Sequence, residues 1–144
     1  MTQTKPAPLP TQRPTWELVL GGACWIASLE FLVGQAIAQA AWTTPYSLAD
    51  DTISDLGNTA CGVWPPASAT NKLLKRVGIH YYVCSPLHTV MNVSFIVTGV
   101  LLLLGLYLTR SLWPRHRLTT WGVVFLTLAG VGKIVVGLDP ENLR

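Results

Sequence analysis

Three long apolar segments constrain this chain more than any other feature of its sequence. They run over residues 16–42, 87–109 and 118–138. About 20 apolar residues are enough for a helix to cross the hydrocarbon core of a bilayer. Of the 144 residues, 50% are hydrophobic and only 12% are charged, whereas soluble domains carry about 25% charged residues. The sequence therefore predicts an all-α integral membrane protein with three transmembrane helices.

The first 15 residues carry several prolines and no apolar run. They predict a disordered tail, which leaves residues 16–144 as a single membrane domain. A cleaved signal over residues 1–38 is the alternative, because AIAQAAW resembles a signal-peptidase site. The apolar stretch is longer than an ordinary signal core and contains Glu30, so we favour a retained helix.

The connection between the second and third segments is strongly basic and reads RSLWPRHR. Short loops rich in Arg and Lys stay on the cytoplasmic side of the cell membrane. The N-terminus is then cytoplasmic, while the C-terminus and the loop 43–86 are extracytoplasmic. The net charge of +3 comes without a long basic cluster, and nucleic-acid binding is not predicted. The predicted partners are the lipid bilayer and other transmembrane helices, including those of a second copy.

Two cysteines, Cys61 and Cys84, fall in the predicted extracytoplasmic loop. Outside the cytoplasm the redox conditions favour a disulfide, which would stabilise the loop by about 3 kcal/mol. Two unpaired thiols are the alternative. In the same loop, the pattern ISDLG predicts a short helical turn capped by Thr52 or Ser54 and ended by Gly57. Residues 68–78 predict a short basic amphipathic helix.

Three stretches together resemble one family of bacterial multi-pass membrane proteins, domain of unknown function 998 (DUF998). They are YSLADDTISDLGN, CSPLHTVMNVSFIVTGVLLLLG and GVGKIVVGLDPEN. The resemblance spans roughly residues 46–143 and implies a set of helices, typically six, with no established activity. The chain ends shortly after DPEN, so the resemblance implies that it corresponds to the N-terminal half of such a protein.

Two charges fall within the predicted helices, at a cost of about 3 kcal/mol each on insertion scales. Glu30 lies near the middle of the first helix, on a face shared with Ala23, Ala27, Gly34 and Ala38. Lys133 lies in the third helix, on or near a face of glycines. We predict an intramembrane Glu30–Lys133 pair. The alternatives are a protonated Glu30 bonded to a neighbour and a Lys133 that reaches the headgroups.

Polar side chains gather at the loop end of the second helix, where His88, Thr89, Asn92, Ser94 and Thr98 precede a run of leucines. The predicted topology brings acids and histidines to the same side of the membrane: Asp50, Asp51, Asp55, His80, Asp139 and Glu141. Carboxylates with histidine can act as general acid and base or hold zinc. Asp55, His88 and Asp139 are the candidate catalytic residues, and the same three with Glu141 are the weak candidate metal ligands.

No tight catalytic or cofactor motif supports that cluster, and capping or solvated roles explain each acid. We predict no cofactor, with a divalent metal such as zinc as the alternative. Two functions stay open. One is a non-enzymatic membrane component that packs with other helices or handles lipid. The other is a membrane-embedded hydrolase-like enzyme with a His/Asp site at the outer face.

Overall fold

Four α-helices form the frame of the part of the chain that the structure describes. In the computed structural model, which describes residues 14–43, 46–47, 51–64 and 81–140, they are α1 (Thr15–Ala27), α2 (Glu30–Ala40), α3 (His88–Leu108) and α4 (Arg117–Leu138). Helices α1 and α2 follow each other closely and make up the first apolar segment. Among the described residues, three helical stretches are long and apolar enough to cross a membrane: Thr15–Ala40, His88–Leu108 and Arg117–Leu138. The prediction of three candidate spans is confirmed, with bounds that agree within two residues.

A break at Ser28 and Leu29 divides the first span. The Ser28 hydroxyl donates to the Trp25 carbonyl at 2.7 Å, a bond that bends helices because it competes with the backbone ladder. The backbone N–H groups of Leu29, Phe31 and Leu32 bond three residues back rather than four. This tighter winding changes the direction of the side chains. Ala23 and Ala27 are therefore exposed, while Gly34 and Ala38 are buried, so only half of the predicted small-residue face is in contact.

Helix α3 is central and contacts each of the other three described α-helices. Helix α1 packs on the last turns of α3, where Gly21 is next to Leu108, and α2 packs on its first half, where Gly34 is next to Ser94. Close approach between α3 and α4 depends on glycine: a Cβ built on Gly99 would lie 2.6 Å from the Gly130 carbonyl oxygen. Small residues at such crossings let two backbones come near in a membrane, where apolar burial alone does not drive helices together.

The segment between α2 and α3 is tied to this frame. A 3-10 helix, η1 (Ile53–Gly57), is followed by strands β1 (Gly62–Trp64) and β2 (Tyr81–Val83), which pair antiparallel with Val63 opposite Tyr82. A disulfide joins Cys61 to Cys84, whose Cα atoms are 4.3 Å apart, and this confirms the predicted bond. The predicted N-terminal tail up to residue 13, the basic helix 68–78, Asp50, His80 and Glu141 lie outside the described residues.

A second 3-10 helix, η2 (Arg110–Leu112), lies in the short connection between α3 and α4. The bundle thus has two distinct ends. The loop end contains η1, the disulfide and the first turn of α3. The arginine end contains η2 and the arginines at positions 110, 115 and 117.

Candidate functional site

Glu30, the first residue of α2, lies in the middle of the first span and directs its carboxylate towards α3. Its Oε2 accepts a hydrogen bond from the Ser94 hydroxyl at 2.9 Å, and its Oε1 accepts one from the Thr98 hydroxyl at 2.7 Å. Ser94 and Thr98 are four residues apart, so they lie on one face of α3. The two donors satisfy one acceptor position on each oxygen, which lowers the cost of placing this acid among apolar helices.

Gly34 makes this arrangement possible. It lies one turn after Glu30, and a Cβ built on it would be 2.7 Å from Ser94 Oγ and 2.9 Å from Ser94 Cβ. Any larger residue would push α3 away from α2 and out of reach of the carboxylate. The small-residue pattern around Glu30 therefore serves a polar contact and not only close helix packing.

Lys133 approaches the same region from α4. Its ammonium lies 3.4 Å from the centre of the Phe31 ring and 5.1 Å from that of Phe95. The quadrupole of an aromatic ring attracts a cation at such distances. Both charged residues are described, and the structure shows no ion pair between Glu30 and Lys133 within that part of the chain. Their direct pairing stays a prediction; Glu30 contacts two hydroxyl groups, and Lys133 contacts two aromatic rings.

An open groove runs beside Glu30 between α2 and α3. It has a volume of about 490 Å³ and is lined by apolar side chains together with Glu30, Gly34, Thr89 and Ser94. The walls are formed by exposed valines and an isoleucine: Val33, Ile37, Val90 and Val93. The structure therefore combines an intramembrane acid with an apolar surface that the described residues leave uncovered.

At the loop end, η1 docks onto the helices through its own buried residues. Leu56 is fully buried in a cluster with Ala38, Met91 and Phe95. The Ser85 hydroxyl donates to the Leu56 carbonyl at 2.5 Å, and Asn92 Nδ2 donates to the Gly57 carbonyl at 2.9 Å. A Cβ on Gly57 would overlap Asn92 Oδ1. The ISDLG segment is thus a plug that covers the start of α3.

The acids of this plug are engaged in its own structure. Asp55 is buried, and its Oδ2 accepts the backbone N–H of Thr52 at 3.0 Å, as in a capping box. Asp51 Oδ2 accepts the N–H of Ser47 at 2.7 Å. Burial raises the pKa of the nearby Tyr46 phenol, and the charges of Asp51 and Asp55 raise that pKa further. These contacts fit the predicted turn, with Thr52 as the capping residue.

The three candidate catalytic residues make separate contacts. Asp55 binds the start of η1, while His88 Nδ1 lies 2.9 Å from the Ser85 carbonyl. Asp139 is exposed at the end of α4. None of these contacts joins one of the three to another. Within the described ranges, no group of three or more His, Cys, Asp or Glu side chains is placed to hold a metal ion; Glu141 lies beyond them, and the metal site stays a prediction.

The match to known proteins rests on the whole helical unit. A family model described as a protein of unknown function, DUF998, matches residues 25–144. The chain belongs to the DUF998 family. The matched region of this DUF998 protein includes Glu30, its two hydroxyl donors, the plug and the disulfide. No curated protein and no solved structure matches the chain.

Sequence reasoning named Ser94 and Thr98 but placed them in an outer polar patch with His88. In the structure they lie deeper and face α2, because Asn92, Ser94 and Thr98 are all on the buried side of α3. The sequence shows that Asn92 and Ser94 are two residues apart and that Ser94 and Thr98 are four apart. The sequence did not reveal how far α2 is rotated about its axis after the break at Ser28 and Leu29. That rotation directs Glu30 towards α3.

We expect Asp55→Ala to loosen the plug by about 1 kcal/mol, the usual loss on removing a capping side chain. Asp55→Asn should cost less, because its amide oxygen can still accept the Thr52 N–H. Hydrogen exchange of the peptide that contains η1 measures the effect, and Asp139→Ala at the exposed end of α4 is the control. Equal effects of Asn and Ala at position 55 would contradict the capping role.

Proposed function

We propose that this DUF998 protein is a non-enzymatic membrane component that packs against a further transmembrane helix through the groove between α2 and α3. The observation that carries the proposal is the Glu30 carboxylate beside that groove, held by Ser94 and Thr98. Ionisable residues inside a membrane are rare and mark functional contacts. The fitting occupant is a helix that brings a hydrogen-bond donor to the depth of Glu30.

Depth favours a helix over a lipid headgroup as the occupant. Glu30 lies ten residues before the end of α2 at Ala40, which is about 15 Å at the rise of an α-helix. Half of a hydrocarbon core is also about 15 Å thick. A headgroup at the surface would remain far from the carboxylate, whereas a transmembrane helix presents side chains at every depth.

A membrane-embedded hydrolase is the weaker candidate. That function needs an acid, a base and a substrate position within hydrogen-bond reach of one another. Asp55 is buried in its capping contact, His88 lies against Ser85, and Asp139 is exposed to the surroundings. No contact among the described residues favours a reaction at this end of the bundle.

We also propose that the loop end is extracytoplasmic and the N-terminus cytoplasmic. Arginines cluster at the opposite end of the bundle, which supports a cytoplasmic position for that end. The Cys61–Cys84 bond supports the same orientation, since disulfides persist on the oxidising side of a cell membrane. The chain then forms a single membrane domain, in the plasma membrane of the cell, with its plug on the outer face.

Crosslinking in native membranes tests the helix-packing proposal. Val93→Cys lies on the groove wall and is half exposed, and Val131→Cys on α4 is a matched control of similar exposure. Both are made in a Cys24→Ala background. We expect an adduct from position 93 but not from position 131. Copies with two different tags show whether the occupant is a second copy or another protein.

Variants of Glu30 test whether the association depends on its carboxylate. An interhelical hydrogen bond in a membrane is worth about 1 kcal/mol, so Glu30→Leu should lower the association constant by roughly fivefold. Glu30→Gln should retain most of it. A foreign helix that forms the adduct must carry a polar side chain at the crosslinked depth. Equal adducts at both positions would show contact that is not specific to the groove, and adducts unchanged by Glu30→Leu would show contact that does not depend on the carboxylate; either result would contradict the proposal.

A further inference from the structure

A second groove lies at the arginine end of the bundle, between α1, α4 and the connection that contains η2. Its volume is about 640 Å³. Its lining is apolar and aromatic and includes Leu18, Gly22, Trp25, Trp113, Pro114 and Leu126. The proposed helix-packing surface is on the other half of the molecule, so this groove is independent of that function.

The walls of the groove are fixed by one hydroxyl. Thr109 Oγ1 accepts hydrogen bonds from the indole N–H of Trp25 at 3.4 Å and from that of Trp113 at 3.2 Å. The Thr109 hydroxyl in turn donates to the Gly105 carbonyl at 2.7 Å. The two indole rings are 6.4 Å apart between centres and inclined at 56°. The two rings are therefore in tilted contact, and together they form one aromatic wall of the groove between α1 and α4.

Positive charge predominates around the groove. Arg115 follows directly after Pro114, which lines the groove, and Arg117 begins α4; both arginines are exposed. Arg110 lies over the Tyr107 ring and donates to the Tyr107 carbonyl. The sequence contains no acid between Asp55 and Asp139, and Glu17 in the first turn of α1 is the one acid that the described residues place at this end. Exposed arginines at a membrane surface attract anionic headgroups.

The length of the groove fits an acyl chain. Leu126 lies nine residues after Arg117 on α4, which is about 13 Å at the helical rise. That distance is close to one leaflet of the hydrocarbon core, about 15 Å. Trp25 and Trp113 present apolar ring faces along the way, and the arginines lie where headgroups lie. The arrangement therefore has a polar, positive mouth and an apolar channel below it.

We propose that this groove binds one anionic phospholipid, with an acyl chain lying along the Trp25 and Trp113 rings and the phosphate at Arg115 and Arg117. A soluble phosphate would use only the mouth, whereas most of the lining is apolar. A neutral phospholipid would use only the channel. The lipid that satisfies both parts carries an acyl chain and a net negative headgroup.

Gly22 provides a variant that fills the groove. A Cβ on Gly22 meets nothing within 4 Å, and replacing glycine inside a helix raises helix propensity. Gly22→Leu should therefore fold while its side chain occupies the channel. Gly122→Leu on α4 is the matched control, because Gly122 is also helical and has nothing within 4 Å. Circular dichroism and size-exclusion chromatography confirm folding of both variants.

Native mass spectrometry measures the bound lipid. The purified protein is mixed with dioleoyl phosphatidylglycerol and dioleoyl phosphatidylcholine in equal amounts. We expect one retained phosphatidylglycerol, a loss of binding in Gly22→Leu, and no change in Gly122→Leu. The double variant Arg115→Gln, Arg117→Gln should keep lipid but lower the preference for phosphatidylglycerol by roughly tenfold or more, since each arginine contributes about fivefold.

Fluorescence gives a test that needs no groove-filling variant. Brominated phosphatidylglycerol should quench the wild-type protein more than brominated phosphatidylcholine does, and Trp113→Phe should remove a large share of that difference. Equal retention of the two lipids by the wild-type protein would overturn the proposal, as would unchanged binding in Gly22→Leu. Inorganic phosphate is then added as a competitor. If it abolishes the difference in quenching between the two lipids while Gly22→Leu leaves that difference unchanged, the proposal is also overturned.

Discussion

Gly99→Ala is expected to separate α3 from α4 and to lower the free energy of unfolding by about 1–3 kcal/mol or more. The added methyl would lie 2.6 Å from the Gly130 carbonyl oxygen and 2.7 Å from Ile134 Cγ1. The first neighbour is backbone, which cannot rotate away as a side chain can. The two helices must therefore move apart, and dispersion contacts along their whole crossing are weakened.

Thermal unfolding in detergent micelles, followed by circular dichroism, measures this effect. Gly132→Ala on the same α4 is the matched control, since its Cβ would meet nothing within 4 Å. We expect Gly132→Ala to be neutral or to stabilise by up to about 1 kcal/mol, because alanine is the better helix former. A similar loss in both variants would show that glycine is needed for helix flexibility and not for the crossing.

Removing the Cys61–Cys84 bond should destabilise the loop end by about 3 kcal/mol. The bond closes a separation of 23 residues and therefore restricts the unfolded loop. The bond also fixes the position of Cys84. The next residue, Ser85, donates a hydrogen bond from its hydroxyl to the Leu56 carbonyl. Without the disulfide we expect η1 to leave its site on α3 more often, while α3 and α4 keep their packing.

Hydrogen exchange of the double variant Cys61→Ser, Cys84→Ser measures this loosening, with exchange in α4 as the internal reference. Alkylation of free thiols under denaturing conditions shows whether the bond is present. Of the three cysteines in the sequence, only Cys24 is free, so one thiol should react before reduction and three after. Three reactive thiols without reductant would contradict the bond, and unchanged exchange would contradict its stabilising role.

The helices were predictable because each is a long apolar run, and bilayer thickness sets the required length. The disulfide was predictable because only two cysteines share the loop. The turn at ISDLG followed from a capping residue and a terminal glycine. Each of these features depends on residues close together in the sequence or on a single physical limit.

The contacts of Glu30 were not predictable in the same way. Ala23 and Ala27 were placed on its face by ideal helical spacing, yet the Ser28 hydroxyl alters the winding before that face continues. Charge, a similar depth in the membrane and a face of glycines make Lys133 the predicted partner. The contacts of Lys133 with Phe31 and Phe95 did not follow from the sequence, because the neighbours of an intramembrane charge depend on the rotation of three helices.

The carboxylate of Glu30 and the groups that satisfy it enter the membrane at different times. Ser94 and Thr98 are 64 and 68 residues further along the chain, so the first span is synthesised well before its hydrogen-bond donors. A charged acid at mid-membrane costs about 3 kcal/mol on insertion. We therefore expect the first span to wait beside the insertion machinery until α3 arrives. The order of synthesis thus makes the insertion of α3 the step that supplies the hydrogen-bond donors of Glu30.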